Sequence, residues 1–143
     1  MPAHIRSFFH DSVQAPASPP TLGTAFDVAD VHEHDLLAGA VPFLAGGPFV
    51  GRIESIHLRL SSISGATKVS VRLCLDEAGD YTVVPDVAAD IALGVTTTTT
   101  GCVAFKVGIP VQQILGGGTL YLFAKVDSGS AVMAQSCITW TET

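Results

Sequence analysis

The 143-residue sequence predicts an all-β fold: an antiparallel β-sandwich, jelly-roll-like in outline, with an immunoglobulin-like arrangement as the alternative. Three observations predict it. Apolar and polar residues alternate at period two through much of the chain after Arg52, as side chains do on a half-buried strand. Turn chemistry recurs between these runs at the spacing of short strands. No long stretch carries the apolar spacing of an amphipathic helix, so the strand and helix alternation of a parallel sheet is missing.

The elements follow in chain order. Residues 1–22 read as an extended N-terminal arm and 23–143 as a single β-sandwich domain. Six of the eight prolines precede residue 50. Proline lacks the backbone donor and fixes φ, so Ala15–Pro20 (APASPP) cannot be a central strand or a helix interior. The arm is expected to lie along its own domain or along a neighbouring subunit.

The strands come next. Ile56, Leu58 and Leu60 share one face, with His57 and Arg59 on the other. Ser61–Thr67 is a turn containing Gly65. Val69, Val71, Leu73 and Leu75 then alternate with Lys68, Ser70, Arg72 and Cys74. Asp76–Asp80 is a polar turn. Tyr81–Val84 is a short strand that Pro85 should stop. Val87–Leu93 reads as a short helical turn or a loop with a brief strand. Thr96–Thr100 favours extended backbone, since threonine is β-branched. Val103, Phe105 and Val107 alternate with Cys102, Ala104 and Lys106. Gly116–Gly118 is a turn. Leu120, Leu122, Ala124 and Val126 alternate with Tyr121, Phe123 and Lys125. Asp127–Ser130 is a hairpin turn. The last strand, Ala131–Thr141, is expected to put Val132, Ala134, Ile138 and Trp140 inward and Met133, Gln135 and Thr139 outward.

Composition narrows the function. Hydrophobic residues make up 48% of the chain and charged residues 14%, against about 25% in an average domain. That excludes disorder, which needs the reverse balance. A net charge of -6 with 7 basic residues excludes a nucleic-acid surface. No window approaches about 18 uninterrupted apolar residues, so no membrane helix is expected. The N-terminal residues hold no apolar core of a signal peptide. Cys74, Cys102 and Cys137 are widely spaced and odd in number, which reads as reduced thiols.

Candidate chemistry is sparse. Asp27, Asp30, His32, Glu33, His34 and Asp35 form the densest polar cluster. His32, His34 and Asp35 are its candidate metal ligands, because imidazole and carboxylate are ligand chemistries and alternate strand residues point the same way. The plainer reading is a solvated loop joining arm to sandwich. Asp76, Glu77, Asp80, Asp86 and Asp90 offer oxygens to calcium but lack the EF-hand spacing. No nucleophile elbow, phosphate loop or placed carboxylate pair appears, so no enzyme and no cofactor is expected. Tyr121, Phe123 and Trp140 are candidates for a sugar-stacking platform, with Trp140 read as core.

Outward positions are poor in charge, and such faces are often covered by another surface. Oligomerisation is expected, a symmetric trimer first. The proline-bearing arm (Met1 to about Leu22), the charge-poor sandwich and the strand that ends the chain (Ala131–Thr141) resemble the capsid decoration, or cement, proteins of tailed bacteriophages. The resemblance spans the chain in outline and rests on no diagnostic motif. It implies a non-enzymatic structural protein of the virion, oligomeric, gripping the major capsid protein from outside, with Ile5, Phe8, Phe9 and Val13 as the arm's partner-binding residues. The alternative is a ligand-binding sandwich, carbohydrate first, using Tyr121, Phe123 or the loop acids.

Overall fold

The computed structural model describes residues 8–35, 51–93, 99–111 and 119–142. These form ten strands in two antiparallel sheets packed as a sandwich, with no helix among the described residues. The first sheet joins β1 (Phe8–Gln14), β10 (Ser130–Glu142), β4 (Gly51–Ser64), β8 (Gly101–Val111) and β7 (Ala92–Leu93) in that order, and β2 (Thr21–Leu22) also pairs with β10. The second sheet runs β3 (Val31–Asp35), β9 (Thr119–Val126), β5 (Lys68–Cys74), β6 (Thr82–Asp90).

The alternation read from the sequence builds the core. Ile56, Leu58 and Leu60 of β4, Val103 and Phe105 of β8, and Ile138 and Trp140 of β10 are buried from the first sheet. Val69, Val71 and Leu73 of β5 and Leu120, Leu122, Ala124 and Val126 of β9 are buried from the second. Each large apolar side chain taken out of water here stabilises the fold by about 1.5–3 kcal/mol.

The described part of the arm, residues 8–22, lies on its own domain. Phe8–Gln14 run antiparallel to Glu142–Ser136, which places β1 at the sheet edge. Leu22 pairs with Ala131 on the same side of β10 and is fully buried. The proline segment bridges the two pairings, and the Pro20 carbonyl accepts the Met133 N–H at 3.0 Å.

Two expectations are corrected, and one open alternative is decided. Pro85 does not end its strand: β6 continues to Asp90. The strand lies at a sheet edge, and the register with β5 slips between Val71 and Leu73, opposite Pro85 and Asp86. An edge and a bulge are the two places where a ladder tolerates proline. Of the two readings of Val87–Leu93, the extended one holds: β6 runs to Asp90 and β7 takes Ala92–Leu93, with Ile91 between them outside either strand. In β10, Met133 and Ala131 point inward rather than Val132 and Ala134. A register slip between Met133 and Gln135 shifts the inward set from odd to even positions, so Ser136, Ile138 and Trp140 complete the core face.

Candidate functional site

The second sheet's outer face carries the candidate site. Register places Glu33 beside Tyr121, and Tyr121 beside Cys74. The next row is Val31, Phe123 and Arg72. Two irregular segments fold over these rows. One is the link from β2 to β3, tied to β9 by the bond from the Val126 N–H to the Gly23 carbonyl at 2.9 Å. Within it, Phe26 lies 4.4 Å from the Arg72 guanidinium and 4.8 Å from the Lys125 ammonium. The Asp27 side chain accepts the Ala29 N–H, a local turn of the kind aspartate favours.

The second cover is the turn between β5 and β6. The Asp76 carboxylate accepts the N–H groups of Asp80 and Tyr81 at 3.1 and 2.9 Å, which holds it below the usual carboxylate range. Gly79 sits at φ +80°, and a Cβ there would stand 3.3 Å from the Phe123 ring. The turn therefore closes directly over Phe123, which is 3% exposed although its strand position faces outward.

Between the two covers lies a groove of about 420 Å³, lined by Val28, Val31, Glu33, Glu77, Ala78 and Tyr121. Tyr121 contributes an aromatic ring and a hydroxyl, the glutamates contribute acceptors, and the small apolar residues contribute walls. Desolvation pushes the Tyr121 phenol up, and Glu33, Glu77 and Asp76 add to the shift. The hydroxyl thus remains a donor. Arg72 is engaged elsewhere: its Nε and a terminal nitrogen donate to the two Asp86 oxygens at 2.6 and 3.0 Å.

A second polar cluster lies inside the sandwich. His32 Nδ1 and His34 Nε2 both meet the Ser136 hydroxyl, at 2.5 and 2.8 Å, and His34 Nδ1 meets the Ser12 hydroxyl at 2.9 Å. Burial pushes both histidines down, His34 to about 4 with His32 adding to its shift.

The sequence-derived candidates separate accordingly. His32 and His34 come together in the core, while Asp35 is exposed on the other side of β3. No set of three His, Cys, Asp or Glu side chains converges as metal ligands among the described residues. Among the arm residues Ile5 lies outside the described residues, and so, further along the chain, do Thr96–Thr98 and Gly116–Gly118. Phe8 and Phe9 pair through their backbones with Glu142 and Thr141. Val13 is half-exposed, opposite Cys137. Trp140 is core, at 1% exposure. The three cysteines are unpaired thiols. The meeting of Glu33 with Glu77 at Tyr121, and of both histidines at Ser136, had no local signal, because each joins strands or turns distant in sequence.

No family model matches the chain, and no curated protein matches it. Among solved structures it is similar to a carbohydrate binding module from glycoside hydrolase family 9 (Cel9A) of Ruminococcus flavefaciens FD-1. The TM-score is 0.55 at 13% identity, covering 94% of this chain and 100% of that one. At that identity the likeness is one of fold: both chains are β-sandwiches.

Proposed function

We propose that the protein is a non-catalytic carbohydrate-binding sandwich whose ligand lies in the groove around Tyr121. The observation that carries the reading is the lining itself. An aromatic ring flanked by two carboxylates and apolar walls matches the two faces of a sugar, C–H on one side and hydroxyls around the rim. The fold likeness to a carbohydrate binding module supports the same reading. The test is calorimetric titration with neutral cello-, xylo-, manno- and chito-oligosaccharides. Saturable binding of one series, weakened more than about tenfold by Tyr121→Ala, is expected for a lost aromatic anchor. If the chain binds no oligosaccharide at all, or binds one with an affinity untouched by Tyr121→Ala, the reading is overturned.

A second reading is an oligomeric virion protein that decorates a capsid, with the major capsid protein as partner and a trimer as the first expectation. What favours it is the first sheet's outer face. There a shallow groove of about 390 Å³, lined mainly by apolar surface, runs between Cys102, His57, Arg59, Gln135 and Cys137, with half-exposed Val13 at the sheet's edge. Deleting residues 1–22 would strip β1 and β2 from β10, so the cleaner test is Val13→Asp. Light scattering and co-sedimentation with capsids should then show loss of assembly and of binding. A wild-type monomer that ignores capsids overturns this reading.

A further inference from the structure

We infer that the Tyr121 groove selects a cationic amino sugar, a glucosamine unit with its amine free and protonated, over the neutral or acidic sugar of the same shape. This rests on the carbohydrate reading above and narrows it to a ligand class.

The charge around the groove is one-sided. Its titratable lining is Glu33, Glu77 and the Tyr121 phenol, and none of the described residues that line it is basic. Asp76, at the start of the same turn, adds negative potential at the phenol, together with both glutamates. The two nearest cations on this face are already engaged. Arg72 is bidentate to Asp86 and stacked on Phe26, and Lys125 shares that ring. A glucuronate or sulfate entering here would face two carboxylates with no counter-charge. A neutral sugar would leave both carboxylates accepting from hydroxyls alone. An ammonium at the 2-position satisfies them and suits the face of the aromatic ring. Both glutamates are exposed, so each interaction is modest, and together they correspond to about tenfold in affinity.

The experiment compares three probes of equal length on the full chain: a fully deacetylated glucosamine oligomer, its N-acetylated counterpart and a glucuronate-containing oligomer. At mildly acidic pH the glucosamine oligomer should bind about tenfold tighter than the N-acetylated one, and the glucuronate oligomer should bind weakest. The preference should fade as the amine is neutralised at alkaline pH. The Glu33→Gln, Glu77→Gln double variant should weaken the glucosamine oligomer more than the N-acetylated one and bring the two affinities to within about twofold of each other. An Asp11→Asn, Asp90→Asn double variant, which removes equal charge elsewhere, should keep the preference.

Equal affinity for the first two probes, or a preference for glucuronate, overturns the inference and leaves the carbohydrate reading standing. So does equal loss in both double variants, or competition by a simple polyamine, either of which would mean charge attraction without a site. Calcium binding at the glutamates with no discrimination among sugars also overturns it. If none of the three oligomers nor any neutral sugar binds, both readings fall together.

Discussion

Ser136 of β10 and His34 of β3 stand on facing sheets and meet 2.8 Å apart inside the sandwich, with His32 on the same hydroxyl. The hydroxyl carries one hydrogen, so it donates to one ring and accepts from the other, an arrangement two neutral imidazoles satisfy. Ser136→Ala leaves two buried ring nitrogens without their partner. A loss of about 2 kcal/mol in unfolding free energy is expected, because an unsatisfied buried polar atom retains its desolvation penalty. Urea unfolding measures it, and an unchanged midpoint would show that the contact contributes nothing.

The same cluster sets a pH dependence. Burial holds His34 at about 4 in the fold, below its ordinary value of 6.5, and holds His32 below that value too. A depressed histidine favours the neutral form, so the unfolded chain binds protons first as pH falls. Stability is full above about 6.5 and falls progressively as pH drops to about 4, where His34 protonates in the fold as well. Thermal midpoints across that range should trace this slope, and His34→Gln should flatten it. A midpoint constant from neutrality to pH 4 in the wild-type chain would contradict the assignment.

Tyr121 and Phe123 share an outward strand face in the sequence, and the structure gives them different work. Phe123 is sealed beneath Gly79, whereas Tyr121 lines the groove. Phe123→Ala should therefore cost about 3–4 kcal/mol of stability, the usual range for emptying a buried aromatic site. Tyr121→Ala should remain folded and lose sugar affinity. Circular dichroism melts alongside titrations separate the two; equal destabilisation by both would refute the distinction.

How legible these features were follows from their range. Leu58, Leu60, Val69, Val71, Leu120 and Leu122 announce themselves by alternation, because a strand's period is local. The inversion at Met133 and the passage of β6 through Pro85 were hidden, because both depend on bulges that only the partner strand defines. The groove was half legible. Tyr121 stood out as an outward aromatic, but Glu33 and Glu77 reach it from elements 88 and 44 residues upstream (121 − 33 and 121 − 77). His32 and His34 looked like surface ligands, because nothing in their own segment shows that β3 turns this side toward Ser136.

The Asp127 turn offers a staple to break. Its carboxylate accepts from the Thr67 hydroxyl and N–H and from the Lys68 N–H, at 2.5, 2.9 and 3.0 Å, joining the start of β5 to the turn before β10. These bonds hold the Asp127 carboxyl well below its ordinary value. The stability they contribute is present at neutral pH and is lost as pH falls through the acid range, below the histidine window. Asp127→Asn should lower the urea midpoint at pH 7 and remove that acid-range loss. In the same turn, Gly129 has φ +64°, and a Cβ would run into the Ser64 carbonyl oxygen. Gly129→Ala should thus be the more damaging change, by about 2 kcal/mol or more.

Arg72 joins the strand face to the segment that covers it. It grips Asp86 across the β5–β6 bulge and lies under Phe26 of the link between β2 and β3. The pair is partly exposed, with 31% and 47% of the two side chains in solvent, so solvent screening limits its strength. Arg72→Ala should cost about 1 kcal/mol globally, the sum of a weak ion pair and a cation–π contact. Its local effect should be larger. Phe26 would keep its contact with Lys125 but lose the one with Arg72, and the backbone from Gly23 to Asp30 would open more often than the sheets do. Hydrogen exchange should show faster exchange at the Asp30 N–H, which is bonded to the Asp27 carbonyl, with β5 and β9 amides little changed. Val28 and Val31 wall the groove beside this segment, so sugar affinity should fall with the exchange protection. Uniform acceleration across both sheets would instead make Arg72 an ordinary stabilising residue with no special hold on the site.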